Sequence, residues 1–140
     1  MRKFISVLSV ALGLSAVAGS AEATPSCALD GTWTATHMGG RAMFTTKIVA
    51  ATHTITIDRT GAGLPSAHID GTYTYDSASG HITFTNKSVS TQDMAFFACL
   101  NVPGTYAVTF SDCSHMSLAL VSDSCMPRTQ SASHATFTKQ

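Results

Sequence analysis

The 140-residue chain carries little charge: eight Lys and Arg stand against eight Asp and Glu, and the only Glu is Glu22. With Arg2, Lys3 and Glu22 set aside as part of a leader, seven Asp face six Lys and Arg. No basic stripe or acidic run is left, which removes any visible source of the field that steers nucleic acids or anionic membranes. The H-E-x-x-H, Gly-x-Ser-x-Gly and glycine-rich phosphate-loop patterns are all missing, and with them the usual marks of zinc proteases, serine hydrolases and nucleotide enzymes. No two cysteines have C-x2-C or C-x4-C spacing, so a zinc cluster has no sequence basis and no cofactor is expected. The long apolar run from Phe4 to Val17 is too short and wrongly flanked for a stable membrane span.

That run has another meaning. Arg2 and Lys3 precede it, and it ends in small residues, with Ala21-Glu22-Ala23 as the pattern after which a signal peptidase cuts. Residues 1–23 are expected to be a cleaved secretory signal and residues 24–140 a single domain, secreted or periplasmic, with no stable membrane anchor after cleavage. A length near 117 residues suits one domain with one core.

Cys27, Cys99, Cys113 and Cys125 all follow the leader. An even count in an oxidising compartment points to two structural disulfides, and four cysteines permit three pairings. Strand topology favours one of them. Cys99 precedes the strand that begins at Gly104 and Cys125 follows the strand that ends near Val121, which puts both at one end of a hairpin, whereas Cys113 lies at the other. Cys99–Cys125 and Cys27–Cys113 are the preferred pairs, the second asking the N-terminal lead to reach the far rim.

Thr-rich alternation fills the rest. Trp33, Ala35 and His37 share one face of Thr32–Met38, and Ile55 and Ile57 share a face with His53 in a segment running from Ala42 to Asp58, either one strand or two broken by a bulge near Ala50 and Ala51. Tyr73 with Tyr75, Ile82 with Phe84, and Tyr106 with Val108 and Phe110 repeat the pattern, as do the runs from Met116 to Val121 and Ser133 to Lys139. The segment 88–102 breaks it, as a short helix or a lid-like loop. The expected fold is all-β: a small antiparallel up-and-down barrel of seven to eight strands, braced by disulfides, its closure removing exposed strand edges.

Leu29-Asp30-Gly31-Thr32-Trp33, with its Gly-x-Trp opening, and the block from Gly104-Thr105-Tyr106 through Leu118 to Arg128 resemble the lipocalin-like, or calycin-type, small secreted β-barrel proteins. That resemblance implies an internal ligand site, with Trp33 as the plug of one barrel end and Arg128 as a cation that can cover it.

Three functions follow from these residues. The first is binding of a small apolar or aromatic ligand by Trp33, His37, His53, Tyr73, Tyr75, Phe84 and Tyr106. The second is an enzyme for proton transfer, cyclisation or isomerisation in the same pocket, carried by His37 or His53 with Tyr73 or Tyr106. The third is an inhibitor or effector that binds another protein through its loops, which requires a filled core and an outward Phe96 or Phe97. Asp70 and Asp123 are the first places to look for a His–Asp pair. Asn86-Lys87-Ser88 matches the N-glycosylation pattern.

Overall fold

The computed structural model describes residues 26–37, 40–61, 63 and 65–140. The expected signal, residues 1–23, lies outside the described residues. Eight strands follow one another: β1 (Gly31–His37), β2 (Ala42–Val49), β3 (Thr54–Gly61), β4 (Ala67–Asp76), β5 (His81–Val89), β6 (Pro103–Asp112), β7 (His115–Asp123) and β8 (Thr136–Lys139). Each pairs antiparallel with the next, and β8 returns to β1 through Trp33 opposite Lys139 and Thr34 opposite Thr138. An even number of alternating strands closes the barrel without a parallel pair, and no sheet edge is left over.

The all-β expectation is overturned by two helices, α1 (Gln92–Ala98) between β5 and β6 and α2 (Met126–Ser133) between β7 and β8. In α1, Met94 and Ala98 lie four residues apart and are the buried positions, so one apolar face rests on the barrel while Phe96 faces out and Phe97 is half-exposed at the cavity rim. In α2, Pro127 occupies the first turn, where its missing N–H costs nothing, and Arg128 and Ala132 form the buried face at the same spacing. Helix α2 also takes Ser133, expected to begin the last strand, and β8 starts only at Thr136 and is four residues long.

The two ends of the barrel differ. At the closed end, Trp33 is fully buried and its indole Nε1–H donates to the Leu29 carbonyl at 2.9 Å. Phe110 packs against Trp33 with ring centroids 6.0 Å apart. The Lys139 ammonium lies 5.1 Å from the Trp33 ring centroid and donates to the Ala28 carbonyl at 3.1 Å. At the opposite end, α1 and α2 lean over the mouth.

A disulfide braces each end. Cys27 is joined to Cys113, with Cα atoms 4.9 Å apart, and Cys99 to Cys125, with Cα atoms 6.0 Å apart. In an eight-stranded barrel β1 starts at the same rim at which β6 turns into β7, so the N-terminal lead reaches Cys113 without crossing the barrel. The Cys99–Cys125 bridge ties the C-terminal cap of α1 to the residue before α2.

Candidate binding cavity

Alternation along each strand decides what points inward. Ile48 of β2, Ile55 and Ile57 of β3, Ile82 and Phe84 of β5, Met116 and Leu118 of β7 and Phe137 of β8 surround a cavity of about 400 Å³. That volume falls within the roughly 300–1,000 Å³ typical of small-molecule sites. By strand position the lining is apolar toward the closed end and mixed toward the helices. There His37, Arg59, Asn86 and Asp93 enter the wall, α1 contributes Met94 and Phe97, and α2 contributes Arg128, Ser131 and Ala132.

Polar groups in this upper wall are mostly tied down. Arg59, only 4% exposed, donates through Nη2 to Asp93 Oδ2 on α1 and to the Pro65 carbonyl, both at 2.7 Å. The Thr91 hydroxyl and the Arg59 guanidinium beside Asp93 hold its carboxyl below the usual range, so it stays ionised at neutral pH. This ion pair latches α1 to the barrel wall. Asn86, 2% exposed, donates its amide Nδ2–H to the Ala98 carbonyl at 2.6 Å. A carbonyl facing the amide fixes which atom is nitrogen, since the reverse orientation would set oxygen against oxygen.

Arg128 anchors α2 in the same way. Its Nε–H donates to Asp123 Oδ2 at 2.7 Å and its Nη2 to Asp123 Oδ1 at 2.8 Å, a two-point pair in which the Asp123 side chain is fully buried. The Tyr106 hydroxyl donates a short hydrogen bond to the same carboxylate. Burial pushes Asp123 up, but the hydrogen bonds from Arg128, Tyr106 and the Cys125 N–H outweigh it and hold the carboxyl below its ordinary value. The Tyr106 phenol moves the other way, up to about 12, through burial and then its bond to Asp123. Gly104 makes room for the cluster, because an added Cβ there would collide with the Asp123 carboxylate.

The residues named from sequence are distributed over several places. His37 and Phe84 line the cavity. Trp33 is fully buried at the closed end and does not line it. Tyr106 is buried, stacked on Phe84 with centroids 5.4 Å apart and bonded to Asp123. Tyr73 is buried nearer the closed end, Tyr75 is partly exposed at the end of β4, and neither lines the cavity. His53 lies outside: it caps a 3₁₀ turn, Ala50–Thr52, at φ 54°, which interrupts the alternation that had set it beside Ile55. Its ring sits 6.0 Å from Tyr73, in a shallow outer depression lined otherwise by threonines. The four residues considered for catalysis are therefore not assembled: His53 and Tyr73 meet, while His37 and Tyr106 stand elsewhere. The ring contact of His37 is with Phe44, edge-on at 4.8 Å, and burial lowers its pKa.

Other assignments also move. The cation over Trp33 is Lys139, while Arg128 lies at the opposite end with its guanidinium carbon 5.2 Å from the Phe84 ring centroid. Asp123 pairs with Arg128 and not with a histidine. Asp70 does meet a histidine: His68 lies between Asp58 at 2.6 Å and Asp70 at 3.0 Å, on the outer surface. The glycosylation pattern falls on Asn86, whose burial leaves no room for a glycan in the folded chain.

No family description, curated protein or solved structure matches this chain. The closed eight-stranded antiparallel barrel with two disulfides is consistent with a calycin-like fold class. Among the described residues, no helix is long and apolar enough to cross a membrane. Arg59, Asn86 and Asp93, the polar part of the wall, were not singled out as site residues from sequence. Two of them were within reach of period two, since Arg59 continues Ile55 and Ile57, and Asn86 continues Ile82 and Phe84.

Proposed function

We propose that the protein is an exported, single-domain, lipocalin-like binding protein that holds one small apolar molecule inside its barrel. The observation that carries this reading is the cavity of about 400 Å³, walled mainly by aliphatic and aromatic side chains. A lining of this kind favours an apolar guest by the area it takes from water, roughly 25 cal/mol per Å². Two disulfides fit an oxidising compartment, in agreement with the leader-like residues 1–23. Proton-transfer chemistry in the cavity receives less support, because His37 has Phe44 and not a tyrosine as its ring neighbour, and the His53–Tyr73 pair lies outside the cavity.

A fluorescence titration with N-phenylnaphthylamine, a neutral probe that brightens in apolar surroundings, tests the reading. Saturable binding of one probe per chain, abolished by Leu118→Trp in the wall, is expected. Unchanged binding in that variant would place the probe elsewhere and remove the proposal.

Protein binding through the helices is a second reading, drawn from Phe96 at 70% and Met126 at 71% exposure. This rim meets half of what that role requires, for a cavity lies beneath it in place of a filled core. Phe96→Ser with Met126→Ser leaves probe binding intact if the cavity is the site. Loss of binding would shift the site to the rim.

A further inference from the structure

Apolar surface continues from the cavity to the outside of the molecule. Phe97 lines the cavity and is 47% exposed, and it packs edge-on against Phe96, with ring centroids 5.6 Å apart. Phe96 stands almost wholly in water, as does Met126, and Leu100 is partly exposed. Leu100 follows Cys99 and Met126 follows Cys125, and the bridge holds the Cα atoms of those cysteines 6.0 Å apart. Both phenylalanines lie in the turn before Cys99, so the disulfide gathers all four side chains on one rim of the helix-covered end. Exposed apolar groups collected in this way mark an interaction surface. The only charged residues of the two helices are Asp93 and Arg128, and each is already in an ion pair, with Arg59 and Asp123 respectively.

We infer that this rim docks reversibly on a bilayer of zwitterionic lipid, and that the guest passes between bilayer and cavity along it. This rests on the cavity-binding reading above and adds the partner that supplies or receives the guest. An apolar guest that leaves through water is penalised for every methylene it exposes, whereas the Phe97–Phe96 path lets it move from one apolar surface to another. A bilayer is also the phase in which such a guest collects, and its interface accepts Phe, Leu and Met side chains without a matching shape. With no free cation on either helix, the attraction that draws basic helices to anionic head groups has no source there, and the apolar contribution stands alone. A protein partner covers the same four side chains but leaves their continuity with the cavity unused.

Flotation with phosphatidylcholine vesicles tests the docking, using the chain from Thr24 so that the apolar run 4–17 cannot itself take up lipid. The protein is expected to float with these vesicles, no more strongly when phosphatidylglycerol is added, and equally at high salt. Phe96→Ser with Met126→Ser is expected to lower partitioning about tenfold, while the N-phenylnaphthylamine titration without vesicles is unchanged, since neither residue lines the cavity. That titration also shows that the variant is folded. Transfer of bound probe to the vesicles is expected to speed up in proportion to vesicle concentration, and the double variant to lose that dependence. A transfer rate independent of vesicle concentration overturns the inference, because the guest then leaves through water. No flotation, equal flotation of the double variant, or flotation that needs phosphatidylglycerol and vanishes at high salt overturns it too, and leaves the cavity reading in place. Dimerisation without flotation, abolished in the double variant, gives the rim to a second copy and overturns the inference in the same way. Failure of the probe to bind overturns the cavity reading beneath it.

Discussion

His68 is a surface side chain whose charge the fold alters. Hydrogen bonds that its ring donates first to Asp58 and then to Asp70 raise its pKa above the ordinary 6.5. A group with a raised folded pKa contributes stability that is fully present below the unfolded value and is lost as pH rises through the folded one. His68 is therefore expected to titrate above 6.5 by NMR, and the stability it contributes to fade from just below neutrality upward. Asp70→Asn lowers the His68 midpoint; an unchanged midpoint would contradict the pairing. Single residues were unevenly legible in sequence. Gly-x-Trp marked Trp33 as a plug, but its covering cation could not be read, because Lys139 and Arg128 are both basic residues near the C-terminus and only the course of α2 sends them to opposite ends. His53 was misread for a local reason, a left-handed φ of 54° that periodicity does not register.

At the scale of elements, α2 is the part least visible in sequence. Its Thr129, Ser131 and Ser133 are indifferent helix formers, and their run toward Thr136 continues the Thr and Ser alternation of the strands. Tertiary contacts decide instead: the buried Asp123–Arg128 pair, with Tyr106, fixes the first turn of the helix. Asp123→Ala strands the Arg128 charge in the interior and is expected to cost about 3 to 5 kcal/mol in chemical denaturation. A loss under 1 kcal/mol would show that the pair does not hold α2. Because the folded pKa of Asp123 is depressed, its contribution is present above the unfolded carboxylate value and lost as pH falls through the folded one. Helix α1 was half legible, since the rhythm plainly broke after Ser88, while the identity of its latch was hidden in the spacing between Arg59 and Asp93. Asp93→Asn is expected to raise amide-exchange rates across α1 with little change in β2 or β3, and uniform acceleration everywhere would contradict a local latch.

The whole molecule was the most readable level. Period-two runs separated by turn residues implied a closed antiparallel barrel, and eight strands form one. Parity across the barrel explains the disulfides, because odd strands start where even strands end, and that puts the N-terminal lead beside Cys113. Loops of 86 and 26 residues are closed by the two bridges. In the chain-entropy account each contributes roughly 3 to 5 kcal/mol against unfolding. What periodicity could not show was whether the inward rings meet. Trp33 and Phe110 fill the closed end, while Phe84 and Tyr106 stack against one side, and the space between them is set by tilt, helix position and side-chain packing, not by spacing along the chain. The central claim is that this space receives a ligand. Methyl NMR during titration with dodecanol tests it most directly: Ile55, Ile82 and Leu118 resonances are expected to shift together and saturate at one ligand per chain, with exposed Val121 unmoved. Shifts confined to Met126, Leu100 and Val121, with the interior isoleucines unchanged, would contradict it.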